Sequence, residues 1–129
     1  MRFRRVEIAI VAGLLALSAV SALAADLRKA QRLLEGQRAE EALPILQQAV
    51  RERPNNIKAV FLLGVALHDL WRLDAARRTF ERALALDPDF QPAHRRLVRV
   101  CARQGDMACT ETHVRYLKSI GHVFRPEDA

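Results

Sequence analysis

Aromatic residues are scarce, 5% of 129 positions, with one Trp and one Tyr. That argues against a sandwich or barrel, whose cores lean on aromatic and β-branched residues, and suits a helical protein rich in Ala, Leu and Arg. Serine is nearly missing from the body of the chain: Ser18 and Ser21 stand near the start, and only Ser119 lies beyond. No G-x-S-x-G, H-E-x-x-H, glycine-rich phosphate loop or C-x-x-C-H occurs, so the common hydrolase, metalloprotease, nucleotide and c-type haem signatures are all lacking. Lysine is rare too (Lys29, Lys58 and Lys118), so nearly all of the positive charge is arginine. The net charge is +6, and setting aside Arg2, Arg4, Arg5 and Glu7 leaves 18 basic against 14 acidic residues, a net of +4. That balance permits attraction to acidic partners and is no nucleic-acid signature by itself. No enzymatic activity, cofactor or metal is expected, and neither is a nucleic-acid partner.

What the chain has in quantity is apolar and small residues. Half its residues are hydrophobic, enough for one packed domain and too many for a disordered chain. The first 25 residues form three zones. Arg2, Arg4 and Arg5 are followed by an apolar run from Ile8 to Val20, and then by small residues in which Ala22-Leu23-Ala24 fits an A-x-A cleavage pattern. Residues 1–25 are therefore read as an export signal, leaving a mature chain that starts near Asp26. An uncleaved anchor is the alternative, since Ile8 to Ala25 is about 18 residues and a span needs about 20. Either way the folded part is expected in the periplasm, free or anchored to the inner membrane, with membrane contact only through this segment.

Two segments of the remainder superpose at one offset of 34 residues: Pro54 with Pro88, Ala42 with Ala76, Ala49 with Ala83, Leu46 with Phe80, and Ala30 with Gly64. A fixed period of this size marks a stacked helical repeat. Val60, Leu63, Gly64 and Leu67 share one helical face, and so do Ala76, Phe80, Ala83 and Leu84. Small residues at Gly64, Ala76 and Ala83 let two helices approach closely. Pro54 and Pro88 end one unit and begin the next, because proline lacks the amide donor and disfavours helix in the residue before it. Pro44 falls a few residues into a helical pattern, so that helix must begin near Glu40 or kink. The pattern predicts six helices and no strand, at about 25–35, 39–52, 56–70, 73–86, 90–103 and 106–119.

With Leu63, Gly64, Ala76, Phe80, Ala83 and Pro88 in these places, the chain resembles the tetratricopeptide repeat family. The best-matching unit, 57–90, has Val60 and Leu67 in the aromatic slots. The first unit, 23–56, carries Asp26 and Lys29 where large apolar residues are usual, so its first helix is expected to be partly solvated. The third, 91–120, keeps Leu97 and the turn Gln104-Gly105-Asp106, and loses the closing proline. Residues 121–129 form a short charged tail. The resemblance implies an all-α, right-handed superhelical array of about three helix-turn-helix repeats over 26–120. It also implies a concave surface, made by the first helix of each pair, that holds a peptide. The matching positions are Leu27, Gln31, Leu34 and Glu35 in the first unit, Lys58, Phe61, Val65, His68 and Asp69 in the second, and Arg95, Arg99, Ala102 and Arg103 in the third. Arg95, Arg99 and Arg103 recur every fourth residue and stack on one helix face. The implied partner is another protein that offers an acidic segment with hydrophobic anchors, held by arginine–carboxylate bonds. A solvated arginine-rich face is the plainer alternative. Gln31 and Leu27 stand where a clamp for a terminal carboxylate needs Asn and Lys, so that chemistry is not expected.

Cys101 and Cys109 flank Gly105 symmetrically. If Gly105 marks a hairpin turn, the thiols sit level across it, and export places them in an oxidising compartment. A disulfide is the leading reading; it closes a loop of about nine residues and is worth about 2.5 kcal/mol. A metal site using Cys101, Cys109 and His113, and a pair of reduced thiols, are the alternatives. The functional expectation is an adaptor or scaffold of the bacterial envelope. Two others stand beside it, a structural subunit of a larger envelope complex and a redox or metal protein using the two cysteines.

Overall fold

The protein is described by a computed structural model covering residues 2–122. Six helices follow in order: α1 (Arg2–Glu35), α2 (Ala39–Glu52), α3 (Ile57–Asp69), α4 (Leu73–Leu86), α5 (Gln91–Arg103) and α6 (Met107–Ser119). There is no strand among the described residues. Five of the six helices lie within a residue of the bounds expected from the sequence. The first does not start near residue 25. It runs unbroken from Arg2, because no proline interrupts the apolar segment and Gly13 alone does not stop a helix. The tail expected at 121–129 lies outside the described residues, apart from Gly121 and His122.

The helices pair as hairpins, α1 with α2, α3 with α4 and α5 with α6, and each hairpin packs on the next. Contacts also run from α1 to α3 and from α3 to α5, so the first helices of the three pairs share one face. The core lies between hairpins. Phe80, Leu46, Leu97, Leu117 and Val60 are fully buried there. The partial solvation of the first repeat is visible in α1, where Asp26 and Lys29 are exposed while Leu23, Leu27, Ala30 and Leu34 line the core on the other side.

One turn closes every hairpin. In each, the amide three residues past the helix reaches back to the carbonyl five residues earlier: Arg38 to Leu33, Arg72 to Leu67 and Asp106 to Cys101, at 2.8–2.9 Å. This is the Schellman ending, and it requires a left-handed residue in the middle. Gln37 (φ 57°), Trp71 (φ 58°) and Gly105 (φ 73°) fill that position, 34 residues apart. Only the third is the residue type that the backbone favours.

Two helices are capped at their starts. The Asn56 side chain, between the first two hairpins, accepts from the Ala59 amide, and the Asp106 side chain, in the α5–α6 turn, accepts from that of Cys109, each at 3.0 Å. The other carboxylate oxygen of Asp106 accepts from Arg77 at 2.9 Å, which ties α4 to the start of α6. Pro44 sits inside α2 on its exposed side, so the carbonyl it leaves unbonded faces water. Cys101 and Cys109 form a disulfide across the α5–α6 turn, their Cα atoms 5.8 Å apart. Beside it, His94 donates from Nε2 to the Pro88 carbonyl at 2.8 Å, stacks on Tyr116 with ring centres 3.8 Å apart, and meets His113 Nδ1 at 3.0 Å.

Candidate functional site

The shared face of α1, α3 and α5 carries three hollows that run into one another. The middle one, about 350 Å³, has an apolar floor of Leu34, Phe61, Leu62 and Val65, and polar groups of both signs around it, Lys58 and Arg96 with Glu35 and Asp69. Leu34 and Val65 are almost fully buried, and the Phe61 ring is held edge-on by Phe90 with centres 5.4 Å apart. The floor is therefore rigid and only partly covered.

Phe61 and Arg96 lead on to a second hollow of about 320 Å³, lined besides by Pro92, Arg95 and Arg99. Among the described residues no carboxylate lines it. Burial pulls the Arg96 guanidinium below the usual arginine range; neighbouring Arg99 and Arg95 act in the same direction, and Asp69 opposes them. The group stays charged at neutral pH, so this end of the trough holds a partly desolvated cation.

At the other end, Leu34, Glu35 and Asp69 lead to the largest hollow, about 670 Å³, between the α1–α2 and α3–α4 turns. Arg103 reaches into it from α5. Its guanidinium lies 4.6 Å from the centre of the Trp71 ring and donates to His68 Nε2 at 3.0 Å. Burial pushes the His68 imidazole down from its usual value, and the Arg103 charge pushes it further. Neutral His68, accepting at Nε2, carries its proton on Nδ1, 3.5 Å from an Asp69 carboxylate oxygen.

The trough thus brings together Leu34, Lys58, Phe61, Val65, Arg95 and Arg99, as the repeat positions predict. Three predicted groove residues are placed otherwise. Leu27 is a core residue, 5% exposed, because the side of α1 that it shares with Leu23 and Ala30 packs inward. Arg103 does not extend the cationic wall of Arg95 and Arg99, since it ends α5 at the opposite end of the trough, where it lies over Trp71. His68 lies at that end too, buried in the wall rather than presented on the floor. The repeat signature residues Gly64, Ala76, Phe80 and Ala83 are all in the core, Leu63 packs partly buried against it, and Pro88 sits exposed between α4 and α5.

Sequence reasoning missed Leu62, Arg96 and Trp71. The 34-residue offset holds the signal for each, as Leu62 and Arg96 occupy one repeat position and Trp71 is the counterpart of Gly105. Among the described residues, no group of three or more His, Cys, Asp or Glu is arranged to hold a metal ion.

Comparison with known proteins agrees with this architecture. Residues 33–99 match the profile of the tetratricopeptide repeat. The tetratricopeptide repeat and J domain-containing co-chaperone DNJ1 of Fusarium oxysporum f. sp. lycopersici is 35% identical over 80 residues, 62% of this chain and 15% of that protein. Among solved structures, MamA of Desulfovibrio magneticus RS-1, residues 41 to the end, superposes with a TM-score of 0.73 at 26% identity, over 77% of this chain and 56% of that one. MamA MSR-1 gives 0.70 at 25% identity, over 77% and 57%. The chain therefore spans a small part of the curated relative and somewhat more than half of each MamA chain.

Proposed function

Since the chain belongs to the tetratricopeptide repeat family, we propose that it is a non-enzymatic adaptor that binds a segment of another protein in the trough formed by α1, α3 and α5. The observation that carries this reading is the juxtaposition of an apolar floor at Phe61, Leu62 and Val65 with three arginines of α5, Arg95, Arg96 and Arg99, along one edge of the trough. The segment is acidic where it meets the arginines, which grip carboxylates in pairs of hydrogen bonds, and apolar where it meets the floor. Nothing is made or broken, and the bound state is the function.

The adaptor works in the bacterial envelope. Its first residues support this: a basic start, an apolar helix exposed along Ile8 to Val20, and Ala22-Leu23-Ala24 after it. Cleavage there releases the domain into the periplasm. A retained inner-membrane anchor is the second reading. It is favoured by the unbroken course of α1 from an apolar stretch of mean hydropathy 2.4 into the first repeat, and by the burial of Leu23 in the core. The intact mass of the chain recovered from membrane and periplasmic fractions separates the two.

The binding reading is tested with the protein as bait in envelope extract, beside an Arg95→Ser/Arg99→Ser variant and a Phe61→Ala variant. A partner held by the native bait and lost by both variants supports the trough. A partner held equally by all three places binding elsewhere on the molecule.

A further inference from the structure

The two ends of the trough have opposite chemistry. Among the described residues, the charged groups that line the Arg95 end are all cations. The hollow at the turns is lined by four carboxylates, Glu35, Glu40, Glu41 and Asp69, against two guanidinium groups, Arg38 and Arg103. Both of those cations are engaged. Arg38 grips Glu41 through two bonds of 2.6 and 2.7 Å. Arg103 is held by His68 and by one face of Trp71. Glu35 bonds to the neutral amide of Gln31 at 3.0 Å. These two arginines therefore make no ion pair with Glu35, Glu40 or Asp69, and of these three Asp69 also lies within electrostatic reach of Arg96.

Trp71 borders this hollow and is 69% exposed, although a ring of its size gains most by burial. An exposed indole that borders a hollow lined by carboxylates can bind an ammonium or guanidinium group, by attraction to the ring and to the acids. The His68 side chain is only 6% exposed, and its Nδ1 makes no close hydrogen bond, only a 3.5 Å approach to an Asp69 carboxylate oxygen. A main-chain carbonyl of a bound segment would be a closer acceptor for it.

We infer that the hollow beside Trp71 takes a lysine or arginine side chain of the bound segment, so the trough reads an acidic, then apolar, then basic sequence in one direction. This rests on the trough being the peptide site. The register follows from α5: Arg95 and Arg103 are eight residues apart, about 12 Å along the helix. An extended chain covers that in about four residues.

The test uses the full chain in detergent and a fluorescein-labelled heptapeptide with an aspartate, two leucines, and a lysine four positions after the aspartate. Companion peptides carry glutamine or glutamate for the lysine, or the reversed order. Anisotropy reads total binding. Emission from Trp71, the only tryptophan in the chain, reads the hollow in unlabelled titrations. The lysine peptide is expected to bind about fivefold to tenfold more tightly than the glutamine and reversed peptides and to change the Trp71 emission. Trp71→Ala removes that preference and leaves the arginine-dependent binding, and Trp71→Phe keeps part of it. Equal binding of the lysine and glutamine peptides, still lost in Arg95→Ser/Arg99→Ser, overturns this inference and leaves the trough reading standing. Tighter binding of the glutamate peptide overturns it as well, by showing a hollow that selects anions. If no peptide binds, both readings fall together.

Discussion

A β-carbon placed on Gly64 would stand 2.6 Å from the edge of the Phe80 ring. The ring is fully buried and has no space to retreat. Gly64→Ala is therefore expected to lower stability by about 1–3 kcal/mol through overpacking, even though alanine is the better helix former. Thermal unfolding checks this: the midpoint should fall by several degrees, and Phe80→Leu in the same chain should restore part of it. An unchanged midpoint would mean that α3 and α4 are not so closely packed.

Gln37 holds a left-handed backbone, φ 57°, at the position where Gly105 closes the third hairpin. A side chain there costs about 1 kcal/mol relative to glycine. Gln37→Gly should stabilise the protein by about 0.5–1 kcal/mol, read as a higher urea midpoint at constant slope. Gly105→Gln should do the reverse.

His68 and His113 are both pushed below the ordinary histidine value, in each case chiefly by burial, with Arg103 the next cause for His68 and His94 for His113. In the unfolded chain each regains its usual affinity for protons, near 6.5. The unfolded state then binds more protons, so stability rises with pH in this range. The stabilisation is complete above about 6.5 and is lost as pH falls through the folded values. Urea titrations at pH 7.5 and 5.0 should show the lower midpoint at pH 5.0, and His113→Gln should shrink the difference.

Cys101 lies fully buried in α5 and Cys109 on the facing side of α6. Reduction, or Cys101→Ser with Cys109→Ser, should cost about 2–3 kcal/mol, the entropy of a nine-residue loop. Hydrogen exchange should locate the loss in α5 and α6 and leave α3 and α4 protected.

Much of this architecture is legible in the residues. The offset of 34 joins Pro54 to Pro88 and Leu46 to Phe80, which fixes helix number, pairing and most boundaries. The start of α1 was not legible, because a segment apolar enough to enter a membrane is also a good helix former, and nothing between Ala25 and Asp26 breaks the backbone. The trough was legible in part. Repeat geometry places Phe61, Val65, Arg95 and Arg99 correctly. It fails at Leu27, where α1 turns that side into the core, and at Arg103, which ends α5 about 12 Å from Arg95 and meets the α3–α4 turn instead. Its partner there, Trp71, sits at a hairpin turn whose place depends on backbone chirality rather than on hydrophobic pattern.

The central claim is that the trough holds an acidic and apolar segment between Phe61 and the arginines of α5. The most direct measurement is the affinity of the labelled aspartate–leucine–lysine heptapeptide for the native chain and for Arg95→Ser/Arg99→Ser, at low and high salt. Loss of two arginine–carboxylate contacts predicts binding at least about tenfold weaker and less sensitive to salt. Equal affinity and equal salt dependence in the two proteins would contradict the claim and leave the arginines of α5 as a solvated face.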